Sequence, residues 1–260
     1  MFSAMRFATL GAILALASGV LYATVTLSPS PGGLTSSPSP TASPIALPEP
    51  VGRPADLEAG TTYFYDDVWE VGSADLILTV PATGWLHNGN SHLAKSPIAG
   101  GWFEVLITPW WRPRNLSADP CHWRSGGELD PPVGPTADDL ATALVEQAAG
   151  NASAPTDVTV SGYPGKRVEL SLPAGLDIAT CDGGEFTRWW DELGDNLRGP
   201  YMYPEADGRN IVYILDVGDK RAVIDTLYTP GASEADLAEA EQLIASMRFE
   251  WPAPGPSPSA

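Results

Sequence analysis

The sequence predicts an α+β fold: a single domain with a mostly antiparallel sheet, two amphipathic helices packed on it, and one disulfide. Three observations carry this. Runs of β-forming residues follow one another with few helical stretches between them, which favours an antiparallel sheet over alternating βαβ units. Only two segments combine a helical apolar period with capping residues. The 260-residue chain holds two cysteines, Cys121 and Cys181, with no Cys-x-x-Cys spacing.

The elements follow in chain order. Phe7 to Leu27 is apolar apart from small Thr, Ser, Gly and one Tyr, and Arg6 is the only charge before Glu49. Its 21 residues match the roughly 20 that a membrane-spanning helix needs. Two readings stand. One is an uncleaved anchor with Arg6 on the inner side; the other is a signal peptide cleaved after Ala17 or Ala23. Either makes everything beyond residue 28 extracytoplasmic, anchored in the cell membrane by residues 7–27 or secreted. Residues 28–54 contain eight Pro and six Ser and read as a disordered, semi-rigid linker. The domain is expected over 55–251, and 252–260 repeats the Pro-rich composition as a disordered tail.

Within the domain, strands are expected in TYFYDDVWEV, DLILTVP and GWFEVLITP, all before the first helix. That helix is PTADDLATALVEQAAG, with Thr136 and Asp139 as a capping box and Leu140, Leu144 and Val145 on one face. Gly150 sits where a left-handed C-cap belongs. TDVTVSG and GKRVELSLP follow as strands, with the turn between them placed at Pro164-Gly165. FTRWWDELGDNL, after Cys181, is expected to carry a further helical turn. NIVYILDV and KRAVIDTLY form a hairpin through Gly218-Asp219. Ser233 and Asp236 cap the second helix, whose stripe is Leu237, Ala240, Leu243, Ile244 and Met247, and MRFEW closes the sheet.

In an extracytoplasmic domain, a lone cysteine pair predicts a Cys121–Cys181 bridge rather than a metal or redox site. The formal net charge of −18 speaks against nucleic acid or an anionic lipid surface as partners, since phosphate binding rests on Lys and Arg. No spaced Asp/Asn calcium loop occurs, and no cofactor motif is found.

LTVPATGW, DPC at Asp119–Cys121, VTVSGYPGKRVELSLP, CDGGEF and AEAEQLIASMRFE together resemble an uncharacterised extracellular domain of membrane-anchored envelope proteins from high-GC Gram-positive and related bacteria. The closing helix and S-x-R-F strand are also similar to the end of the Mog1/PsbP-like α+β fold. The resemblance implies a domain behind a membrane helix and a Pro/Ser-rich linker, and it brings no activity and no catalytic residues.

Two constellations remain. His87, Ser91, His92 and His122 are the residues an extracytoplasmic hydrolase or metal-dependent enzyme would use. Yet Leu93 stands where a G-x-S-x-G elbow needs its second Gly, and WLHNGN reads as loop. Trp110, Trp111, Trp189 and Trp190 flank the two cysteines, so a bridge brings the pairs together. They form either a buried cluster packed on the disulfide or an exposed surface for a glycan, a peptide or a protein. The expectation is a non-catalytic envelope module, binding or sensing a cell-wall glycan, peptide or protein partner, with the enzyme as the alternative.

Overall fold

The computed structural model describes residues 43–51, 53–65, 74–89, 92–98, 102–110, 115–147, 151–190 and 208–250. The apolar N-terminal stretch 7–27, the linker to residue 42 and the tail 252–260 lie outside them. Among the described residues, no helix is long and apolar enough to cross a membrane.

The elements in chain order are β1 (Ile45–Ala46), β2 (Ala55–Asp56), β3 (Thr62–Tyr65), β4 (Asp75–Thr79), β5 (Trp85–His87), β6 (Leu93–Ile98), β7 (Trp102–Trp110) and β8 (Asn115–Leu116). Then come α1 (Trp123–Gly126), α2 (Ala137–Glu146), β9 (Asn151–Ala152), β10 (Thr156–Val160), β11 (Tyr163–Ser171), β12 (Trp189–Trp190), β13 (Arg209–Val217), β14 (Lys220–Tyr228), α3 (Glu234–Ser246) and β15 (Arg248–Glu250). The fold is α+β, as the strand runs predicted.

The large sheet has the order β10-β11-β13-β14-β7-β6-β5-β2, with β9 also on β11 and every pairing antiparallel. A smaller sheet runs β1-β3-β4-β15, with β1 parallel to β3. Residues opposite each other in register share a face, and this sorts the core into two. Ile211, Tyr213, Leu215 and Ile224 look toward α3 and the smaller sheet, where they meet Leu243, Ile244, Leu76 and Phe249. Val212, Ile214 and Val223 look the other way and meet Leu140 and Leu144 of α2. Both faces of β13 and β14 are therefore covered, which is why these two strands read as nearly continuous apolar runs.

The two helices begin as predicted. Thr136 and Asp139 form a reciprocal capping box, and so do Ser233 and Asp236. Each satisfies donors that a helix start otherwise leaves orphaned. Asp216 adds a bond of 2.8 Å from the Ala137 amide. The stripe of α2 needs one correction: Val145 is 41% exposed. The helix ends at Glu146 with Gln147 as its C-cap, and Gly150, expected as the cap, lies outside the described residues.

Four further expectations change. Ser161 and Gly162, both left-handed, make the turn between β10 and β11, and Pro164 and Gly165 lie inside β11. Two consecutive left-handed residues give the turn whose twist suits a tight hairpin. Gly165 serves another purpose: a Cβ there would strike the Ile214 carbonyl of β13. Trp85–His87 is a strand rather than loop, and with Leu93–Ile98 it forms a hairpin. Trp189–Trp190 is also a strand, paired with β8, and the rest of the segment expected to carry a helical turn, 191–197, lies outside the described residues. Finally, the linker expected to run to residue 54 gives way earlier. Ile45–Ala46 pairs with β3, and Leu47 joins the main core at 8% exposure.

Candidate functional site

The cysteines are joined: Cys121 and Cys181 form a disulfide with sequence separation 60. Such a bond points to an oxidising, non-cytoplasmic setting. Both cysteines are buried in a small satellite cluster with Leu172 and Phe186. The bridge clamps two loops that have little regular structure of their own. Backbone bonds run alongside it, from the Asp182 amide to the Cys121 carbonyl at 2.8 Å and from the Thr187 amide to the Pro120 carbonyl at 2.8 Å.

The tryptophans divide. Trp110 at the end of β7 and Trp189 in β12 meet edge-to-face, ring centroids 5.1 Å apart and planes at 79°. They are 4% and 2% exposed and belong to the core beneath α2, with Leu140 and Val223. Their faces are used up against each other and the sheet, so neither offers a stacking surface. This corrects the reading of Trp110 and Trp189 as binding residues. It also separates the pair from the bridge, which packs on Leu172 and Phe186 instead. Trp111 lies outside the described residues. Trp190 is placed as a strand residue opposite Asn115.

Between these two clusters sits a buried cation that the sequence did not single out for this role. Arg188 donates to Gln147 Oε1 at 3.0 Å and to the Ser171 carbonyl at 2.9 Å. Its guanidinium lies 5.2 Å from the Phe186 ring. Gln147 in turn donates to the Ser117 and Arg188 carbonyls at 2.9 and 3.0 Å. Burial pushes the Arg188 pKa down to about 10, while nearby Asp225 acts to raise it. It stays charged at neutral pH and ties the end of α2 to the loops of the bridge.

What the bridge displays outward is a short polar turn. Trp123 is buried, and its indole donates to the Asp182 carbonyl at 3.1 Å. The Arg124 guanidinium lies 4.9 Å over that ring, and its amide donates to Asp182 Oδ2 at 2.9 Å. Asp119 accepts from the Cys121 and His122 amides at 2.9 and 3.1 Å, and its other oxygen lies 3.1 Å from His122 Nδ1. Burial acts to raise the Asp119 pKa, but the His122 and backbone hydrogen bonds prevail and hold it below the usual carboxylate range. His122, Arg124 and Ser125 are exposed.

The histidines proposed for an enzyme have separate structural surroundings. His87 is buried in β5, its Nδ1 2.8 Å from the Pro48 carbonyl, so Nδ1 carries the proton and donates. The His92 amide donates to the Gly89 carbonyl at 2.8 Å. Ser91 lies outside the described residues. Among the described residues, no group of three or more His, Cys, Asp or Glu converges as a metal site. Asp138 and Asp139 serve Lys166 and the α2 cap. Asp66, Asp67, Asp191 and Glu192 fall outside the described residues.

No protein-family profile matches the chain, and no curated protein matches it. Among solved structures, a crystal structure of a protein from Bacteroides thetaiotaomicron VPI-5482 is similar at 12% identity, with a TM-score of 0.30, covering 67% of this chain and 45% of that one. This chain thus spans less than half of that protein's length, and a likeness of this depth assigns neither a fold family nor a function.

Proposed function

We propose that the chain is a non-catalytic envelope module, membrane-tethered through residues 7–27 or secreted, that recognises a cell-wall glycan, a peptide or a neighbouring protein. The resemblance to extracellular domains of membrane-anchored envelope proteins, with a Mog1/PsbP-like α+β fold, belongs to the same reading. One observation carries it: the buried bridge and buried Trp123 hold His122, Arg124 and Ser125 exposed on a turn fixed at both ends by Asp119 and Asp182. A turn tied down by a disulfide and side-chain bonds is preorganised, so binding through it costs little ordering entropy. In a chain of net charge −18, the exposed Arg124 also gives a local site for an acidic group on the partner.

The test is a photo-crosslinking amino acid placed at Ser125 in the full chain, expressed in its own envelope. A covalent adduct at 125, and none from the same group placed at exposed Thr142 of α2, is the expected result. Adducts from 142 alone would move the recognition surface away from the bridge.

A further inference from the structure

The stretch Ser43–Val51, SPIALPEPV, enters the domain as a guest strand. Pro44 and Pro48 bracket it, and a proline has no N–H to give to a ladder, so pairing is confined to Ile45–Leu47. Ile45 and Ala46 lie parallel to Tyr63 and Phe64, and the Leu47 amide donates to the Phe64 carbonyl at 3.1 Å. One side chain is gripped: Leu47 sinks into the core cluster that also holds Leu57 and Tyr63, while Ile45 stays 51% exposed. One polar contact follows it, His87 Nδ1–H to the Pro48 carbonyl at 2.8 Å. Tyr65 stands edge-on to that imidazole at 6.1 Å, and Pro50 reaches the glycine turn at Gly89. The receiving side is made entirely by the rest of the domain, from β3, Leu57 and β5.

We infer that this edge is a peptide-acceptor groove: β3 adds an extended strand, a core slot takes a leucine, and His87 reads the carbonyl of the proline after it. Its ligand class is an extended apolar segment containing Leu-Pro, and the chain's own SPIALPEPV is the resident occupant in cis. Strand addition to a sheet edge takes affinity from the main chain and specificity from one or two pockets, which matches this division of contacts. Tethering gives the resident segment a high effective concentration, so a second peptide enters only when the resident is weakened.

The test uses the full-length chain carrying Leu47→Ala and a free peptide SPIALPEPV, followed by backbone and imidazole NMR signals. Saturable shifts at Tyr63, Phe64 and His87, with affinity at least tenfold tighter than for the parent chain, are the expected result. The same peptide with Ala in place of Leu should lose at least tenfold in affinity. Equal binding to parent and variant, no saturable binding, or mixed dimers of variant and parent chain in preference to peptide would each overturn the proposal. Should Leu47→Ala fail to fold, Pro48→Gly loosens the resident segment while keeping its leucine, and the same outcomes apply.

Discussion

Trp110 and Trp189, 79 residues apart in sequence, meet edge-to-face with ring centroids 5.1 Å apart beneath α2. The contact joins the end of β7 to the two-residue strand β12, whose only strand partner among the described residues is β8. Truncating Trp189→Ala should cost about 3–5 kcal/mol, the usual range for a large aromatic removed from a core. A double-mutant cycle with Trp110→Phe should return a coupling of roughly 0.5–1.5 kcal/mol. Urea denaturation of the four proteins measures both.

The disulfide closes a loop of sequence separation 60. On the chain-entropy account its loss should cost about 4 kcal/mol. Cys121→Ala/Cys181→Ala should therefore unfold at a clearly lower urea concentration than the oxidised parent. Because α2, α3 and the large sheet do not depend on the bridge for their own pairing, the variant should keep the parent's far-ultraviolet circular dichroism.

Arg188 is the buried cation that locks the bridge loops to the end of α2. Arg188→Met leaves Gln147 Oε1 and the Ser171 carbonyl without this donor, and it removes a positive charge near buried Asp225. The expected cost is about 3 kcal/mol. Arg188→Lys keeps the charge but has no planar fork to span both acceptors, so it should recover only part of the loss. Thermal unfolding of the pair separates charge from geometry.

Acid should weaken the fold through its capping carboxylates. Burial acts to raise the Asp236 pKa, but bonds from Ser233 and Lys95 hold it below the usual range. Asp139 is lowered chiefly by the Thr136 amide. A carboxyl with a lower pKa folded than unfolded contributes its stability in full above the unfolded value. That contribution is lost as pH falls through the folded value. Stability should thus decline below about pH 4, with a shallower decline in Asp236→Asn, as read from urea midpoints at pH 6 and pH 3. At neutral pH, Ser233→Ala should cost about 1 kcal/mol.

What the sequence made legible is local. A capping box needs residues three apart, so Thr136–Asp139 and Ser233–Asp236 were readable, as was the Gly218-Asp219 hairpin. The lone cysteine pair had one way to join. What escaped depends on distant partners. Pro164-Gly165 imitates a turn, but Gly165 is there for the Ile214 carbonyl of a strand some fifty residues on. His87 made β5 look like loop, and β6 with its Lys95 was not singled out at all; both side chains are buried against remote groups, His87 on the Pro48 carbonyl and Lys95 on Asp236 and Glu239 of α3. The flanking of the cysteines by tryptophans was visible, but whether the rings faced solvent depended on α2 covering them.

On the proposed reading, a partner would be recognised by the exposed turn over the bridge and not by the tryptophan pair. Co-sedimentation of the oxidised full chain with cell-wall fragments tests it most directly, beside His122→Ala/Arg124→Ala and beside Trp110→Phe/Trp189→Phe. The parent and the Trp→Phe protein should pellet, and the turn variant should stay in solution. Pelleting of the turn variant with loss of the folded Trp→Phe protein would contradict it.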